Sequence, residues 1–165
     1  MPVENESPAP VAKSTRRVIE AAARLGIAVE PREMPANTRT AEEAASACGT
    51  TVGQIVKSLV FRGQDTGRPY LLLVSGANRV DEARVAQDVG ESLGRANADF
   101  VREVTGFAIG GVPPFGHAGE LVALMDMALL QFDEVWAAAG TPRAVMRLDP
   151  RILRDRTAAR VVRMC

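Results

Sequence analysis

QIVKSLVFRG, Gln54–Gly63, is rich in β-branched and aromatic residues, the composition of a strand. A second apolar run, RPYLLLVSG (Arg68–Gly76), comes after GQDTG (Gly63–Gly67), which suits a hairpin or short connection. Along 55–61 the two-residue period of a strand puts Ile55, Lys57, Leu59 and Phe61 on one face, and Val56, Ser58 and Val60 on the other. Both faces are mainly apolar, as in a strand covered on both sides. Lys57 therefore has no obvious solvent face. An unpartnered buried ammonium is costly, so either its stem snorkels to the surface or its amine lines a pocket. Of the 20 basic residues only Lys13 and Lys57 are lysines, and the rest are arginines. A lysine inside an apolar run of such a chain stands out as a compact donor that can reach a carbonyl, hydroxyl or phosphate oxygen.

Outward from this pair the chain alternates irregularly between helix and strand signals. STRRVIEAAARLG reads as a helix capped by Ser14 or Thr15 and stopped by Gly26. IAVEPREM reads as a short strand broken or edged by Pro31. TAEEAASACG is a helix with a Thr40/Glu43 capping box and a Gly49 stop. VDEARVAQDVG is a helix capped by Asp81, and NADFVREVTG one running from Asn97 to Gly106. ELVALMD is a strand ending at Asp126. DEVWAAAG and PRAVMRLD form a strand–turn–strand unit, and DPRILRDRT is a last helix before the tail ARVVRMC. This order predicts α/β architecture with a mixed sheet and helices packed around it.

The chain has 165 residues, which fits one domain: a flexible leader over residues 1–13 and a single domain over 14–165. Hydrophobic residues make up 47% but aromatics only 4%, so the core is mainly aliphatic. Net charge is zero and no basic recognition helix is present, which argues against a duplex-DNA partner. Cys48 and Cys165 have neither disulfide nor metal spacing, and there is one histidine, so no metal site is expected. The polar leader lacks the features of a signal peptide, and no apolar run approaches membrane-spanning length. The expectation is a cytoplasmic protein without a membrane partner.

AIGGVPPFGH, Ala108–His117, holds the chain's histidine among glycines and two adjacent prolines. Such a loop is either turn chemistry alone or a rigid frame whose remaining N–H groups grip a ligand oxygen. Taken with QIVKSLVF and with TAEEAA, LLLVSGANRVDEARVAQDVG, LVALMD and VWAAAGTPRAVMRLDP in this order, it resembles the YbaK/ProX superfamily. These are free-standing relatives of the editing domain inserted in bacterial prolyl-tRNA synthetases. The resemblance covers about residues 15–160 and implies a largely antiparallel, partly barrel-like central sheet surrounded by helices. It also implies an aminoacyl-tRNA deacylase that hydrolyses the ester of a small mischarged amino acid. No cofactor is implied. The partners implied are the acceptor end of mischarged tRNA and, further, an aminoacyl-tRNA synthetase.

Lys57 matches the family's lysine, and Gly110–Pro114 its Gly-x-x-x-Pro loop. His117 and Asp126 match positions near the pocket in parts of the family. In the alanine-specific branch the residue after the lysine resembles asparagine. Ser58 stands there in this chain and leaves the amino acid removed undetermined. Chemically, ester hydrolysis passes through an oxyanion that aimed backbone N–H groups stabilise. Gly110, Gly111 and Val112 are the expected donors, since Pro113 and Pro114 have none. Lys57 adds charge at the oxyanion or anchors the tRNA end. No nucleophile–base pair stands out, so water is the expected attacker, helped in this family by the neighbouring ribose hydroxyl. His117 is either structural or a hydrogen-bond partner for the substrate's amino group or ribose. Asp126 is either a cap for the helical stretch MALLQF or a pocket residue. A non-catalytic module holding tRNA ends, nucleotides or a synthetase is the alternative function.

Overall fold

The computed structural model describes residues 11–165. Residues 1–10 of the expected leader lie outside the described residues. Lys13, placed in that leader by sequence, is instead the first residue of helix α1 (Lys13–Leu25). The expected Ser14 or Thr15 cap is also corrected: the N-cap is Ala12, with no side-chain cap. Thr15 is buried, and its hydroxyl donates to the Ala139 carbonyl at 2.7 Å. It ties α1 to the body of the protein rather than closing the helix end.

The remaining elements agree closely with the sequence signals. They are β1 (Arg32–Glu33), α2 (Ala41–Cys48), β2 (Val56–Gly63), β3 (Pro69–Ser75), α3 (Glu82–Val89), β4 (Leu93–Arg95) and α4 (Ala98–Thr105), then β5 (Val122–Asp126), β6 (Val135–Ala138), β7 (Ala144–Leu148), α5 (Pro150–Thr157) and β8 (Arg160–Val162). Thr40, Asp81 and Asn97 each accept a hydrogen bond from the backbone N–H three residues on, capping α2, α3 and α4. The Thr40 box is half formed: Glu43 Oε1 takes the Thr40 hydroxyl proton, not its backbone N–H.

The strands form two sheets. One is antiparallel in the order β1-β7-β6, and the other runs β4-β2-β3-β5-β8. In the second, β4 and β3 flank β2 antiparallel, while β3, β5 and β8 run parallel. The sheet is mixed, as expected, but splits in two, and a single parallel bridge between Ile55 and Trp136 joins the halves. The tail ARVVRMC contributes β8, and β4 is a further strand that the sequence pattern does not signal.

The run YLLLV is buried on both faces. Leu71 and Leu73 join Val18, Phe107, Met125 and Met146 in the main core, while Tyr70, Leu72 and Val74 pack with Val85 and Leu124 on the opposite face. Truncating one of these leucines to alanine costs about 2–5 kcal/mol. The β2–β3 connection is held by Glu91. Its carboxylate accepts from the backbone N–H groups of Asp65 (3.0 Å) and Thr66 (3.1 Å), the Thr66 hydroxyl (2.8 Å) and the Tyr70 hydroxyl (2.7 Å). A Cβ on Gly63 would overlap that carboxylate, which explains the glycine.

Candidate active site

The free edge of β2 sets the position of the site. Gly63 donates to the Arg68 carbonyl and Gly76 to the Ile55 carbonyl. In an antiparallel ladder this parity turns the backbone groups of odd-numbered residues toward β3 and those of even-numbered ones away. On that far side β4 pairs only with Phe61–Gly63, and β6 touches β2 at the Ile55 bridge. Between these two contacts, the backbone groups of Ser58 and Val60 face no strand. The gap is a cavity of about 1000 Å³, walled by β2, by Trp136–Ala138 of β6, by Arg95 and Ala96, and by the loop at Ile109, Gly110 and Val112. Residues from both faces of β2 line it, because it wraps around the strand's edge.

Lys57 lines this cavity, half-buried. It neither snorkels free nor lies unpaired: its Nζ donates to the Asn78 carbonyl. An ammonium has three donors, so two remain for a ligand. Gly110 and Val112 line the same cavity, so the structure brings the lysine and part of the glycine loop together.

The other sequence candidates lie behind this surface. Ala108–Gly111 is a tight turn in which Gly111 N–H donates to the Ala108 carbonyl at 2.9 Å. Gly110 sits at φ 84°, where glycine carries no steric penalty. The Gly111 N–H is thus occupied and does not face the cavity, contrary to the sequence expectation. Gly111 is a glycine for a different reason: a Cβ there would lie 2.8 Å from Thr141 Cα and 2.9 Å from Thr141 C. Among the described residues no acceptor takes the N–H of Gly110 or of Val112.

Pro113 and Pro114 are buried and do not line the cavity. His117 Nε2 lies 2.7 Å from the Pro113 carbonyl oxygen. A carbonyl only accepts, so this nitrogen carries the proton. Burial pushes the His117 pKa down from its usual value, and the bond to Pro113 opposes part of that shift. His117 therefore braces the loop from behind. Asp126 is also set back: it is 1% exposed, and its Oδ1 accepts from Ala128 N–H at 3.0 Å, capping the short 3₁₀ turn Met127–Gln131. Its Oδ2 accepts from Ser75 N–H and from Asn78 Nδ2, each at 3.0 Å.

Two features have no counterpart in the sequence reading. Asn78 meets Lys57 through a main-chain carbonyl, which no side-chain pattern announces. Ser58 Oγ and Trp136 Nε1 are buried without a hydrogen-bond partner among the described residues, and both residues line the cavity. Trp136, buried in the core, is thus also cavity wall, with the Arg32 guanidinium 4.4 Å from its ring centre. No group of three or more His, Cys, Asp or Glu among the described residues could hold a metal ion, and no described helix is long and apolar enough to cross a membrane.

Lys57, Gly110 and Val112 thus share the wall of one cavity at the free edge of β2. The chain belongs to the aminoacyl-tRNA editing domain family, whose sequence profile matches residues 35–155. A candidate trans-editing enzyme for prolyl tRNA synthetase superposes with a TM-score of 0.88 at 51% identity, covering 94% of this chain and 98% of that one. The uncharacterized protein YwhH of Bacillus subtilis (strain 168) is 31% identical over 129 residues, 78% of this chain and 82% of YwhH. The multifunctional Ser/Thr-tRNA deacylase ProXp-y of Escherichia coli (strain K12) is 30% identical over 96 residues, 56% of this chain and 58% of that protein.

Proposed function

We propose that this protein is a trans-editing deacylase that hydrolyses the ester between a small mischarged amino acid and the terminal ribose of a tRNA. The observation that carries the reading is the meeting of Lys57 with Gly110 and Val112 on one cavity wall. At about 1000 Å³ the cavity lies at the upper end of ligand pockets, so it has room for the terminal nucleoside as well as the amino acid. Water attacks the ester carbon, and the carbonyl oxygen takes up negative charge. The Gly110 and Val112 N–H groups and the Lys57 ammonium are the donors for that oxyanion. The tetrahedral intermediate then expels the ribose oxygen, which leaves protonated, and the free amino acid and tRNA are released. His117 and Pro114 keep the loop in shape, and Asp126 acts from behind the wall. The acceptor end of mischarged tRNA is the partner, with an aminoacyl-tRNA synthetase as a further one.

The nature of the amino acid is set by the wall. The cavity's lining is mostly apolar, with Val56, Val60, Val101 and Ala137 among the residues around Lys57, which suits a small uncharged side chain. ProXp-y, named for serine and threonine, is consistent with that preference. The test is a panel of tRNAs charged with alanine, serine, threonine, cysteine and proline, read by release of the labelled amino acid. Turnover of a mischarged tRNA, with Pro-tRNA spared, supports the reading. Binding of all of them without hydrolysis would overturn it in favour of a non-catalytic module.

A further inference from the structure

We propose that Asn78 is a positioning residue for Lys57, and that Asp126 acts through it. Ser75–Asn78 is a tight turn leaving β3, closed by Asn78 N–H donating to the Ser75 carbonyl at 2.9 Å. One oxygen of Asp126 grips both ends of this turn, the Ser75 N–H and the Asn78 side-chain amide, each at 3.0 Å. The Ser75 hydroxyl donates to the Gly53 carbonyl at 2.7 Å. A Cβ on Gly76 would lie 2.5 Å from the Val52 carbonyl oxygen, so the turn is seated close against the chain entering β2. The carbonyl leaving this clamped turn, that of Asn78, receives the Lys57 ammonium.

The order of contacts is therefore Asp126 carboxylate, Asn78 amide, Asn78 carbonyl, Lys57 ammonium. A lysine has four rotatable stem bonds, and a flexible cation holds a reacting oxygen poorly unless its position is fixed. The clamp supplies that fixation while leaving two of the three ammonium donors for substrate. Asp126 is too enclosed to touch a ligand, yet its charge lies two hydrogen bonds from the working cation. This assignment rests on Lys57 being the working group of the deacylase proposed above.

The test uses the fact that Lys13 and Lys57 are the only lysines. Reductive methylation with ¹³C-formaldehyde keeps each amine charged and yields one methyl resonance per lysine, assigned with Lys57→Ala. In Asn78→Ala the Lys57 resonance is expected to move toward that of Lys13, and kcat to fall by about 10-fold with KM little changed. In a Lys57→Ala background Asn78→Ala is expected to add no further loss, because the two act as one unit. Asn78→Ser, whose shorter side chain falls short of Asp126, is the second variant should the alanine form fold poorly. An unmoved Lys57 resonance, or an equal rate loss in both backgrounds, overturns the proposal. Failure of the wild-type protein to deacylate any tRNA would sink the proposed function, and the resonance would still decide this one.

Discussion

The two loop glycines should fail in different ways when each is changed to alanine. At Gly111 the new Cβ meets three atoms of the Thr141 backbone at 2.8, 2.9 and 3.0 Å. Main chain cannot rotate aside, so the loop and the segment after β6 must part. Overpacking of this kind costs about 1–3 kcal/mol. Parting also weakens the bond from Gly140 N–H to the Gly111 carbonyl at 3.1 Å, worth a further ~1 kcal/mol. For a chain of this size about 2–4 kcal/mol corresponds to roughly 4–16 °C in Tm. At Gly110 the added Cβ reaches Pro142 at an ordinary 3.6 Å, but the backbone sits at φ 84°. The strain is about 1–2 kcal/mol, or roughly 2–8 °C. The assay pairs thermal melts with single-turnover deacylation at least 10 °C below each Tm. Gly111→Ala should lose mainly stability, and Gly110→Ala mainly rate, by about 10-fold or more, because it reshapes the turn that presents the cavity-side N–H. Val112→Pro should also be severe in rate, since it deletes an N–H that no acceptor within the described chain uses. A Gly111→Ala protein that melts like wild type refutes the packing argument. Normal rates in both Gly110→Ala and Val112→Pro refute the loop as oxyanion donor.

Lys57→Ala should cost on the order of 10²-fold in kcat/KM with an unchanged melting curve, and Lys57→Arg should not rescue it, because a guanidinium fork does not fit a point-charge site; wild-type turnover in either variant contradicts this. Glu91 is held down to about 2, chiefly by the Tyr70 hydroxyl and then by the Thr66 contacts. Its contribution to stability is therefore full above the unfolded value near 4.5 and is lost as pH falls toward about 2. Urea melts across that window should show a steep decline that Glu91→Gln flattens, and parallel curves would remove Glu91 as the cause. Activity should survive exhaustive chelation, and loss restored by added zinc would show a metal to be required. Thr15→Val should lower Tm by roughly 2–12 °C, since it leaves the buried Ala139 carbonyl short of a donor at a cost of about 1–3 kcal/mol; an unchanged Tm would show that bond to be idle.

Helix ends were the most legible part of the sequence, because each is set by one or two neighbouring residues. Thr40, Asp81 and Asn97 cap where they stand, and Gly26, Gly49, Gly90 and Gly106 all adopt the left-handed stop. Ser14 and Thr15 mislead for the same reason that they attract notice: either could cap, but Thr15 has a distant acceptor in Ala139. Strands β4 and β8 are three residues each and exist only because β2 and β5 offer them an edge. Nothing local in Leu93–Arg95 or Arg160–Val162 announces that edge. The division of one expected sheet into two is likewise a matter of long-range register.

For the site, the legibility of a residue depended on which of its atoms acts. Lys57 was conspicuous because its side chain is chemically out of place in an apolar strand. Gly110 and Gly111 looked equivalent because both lack a side chain, yet one supplies a turn conformation and the other a close approach to Thr141. Only the paths of two chain segments distinguish them. Asn78 was invisible because the atom that meets Lys57 is a carbonyl that every residue carries. Its particular side chain matters one step removed, by tying that carbonyl to Asp126. Asp126 likewise acts where its surroundings, not its type, decide. A carboxylate at the end of a strand reads from sequence as a cap or a ligand. Buried here with three N–H donors converging on it, it is a cap for the turn at Met127 that also clamps the turn behind the lysine. Its charge thus holds the geometry of a site that it does not touch.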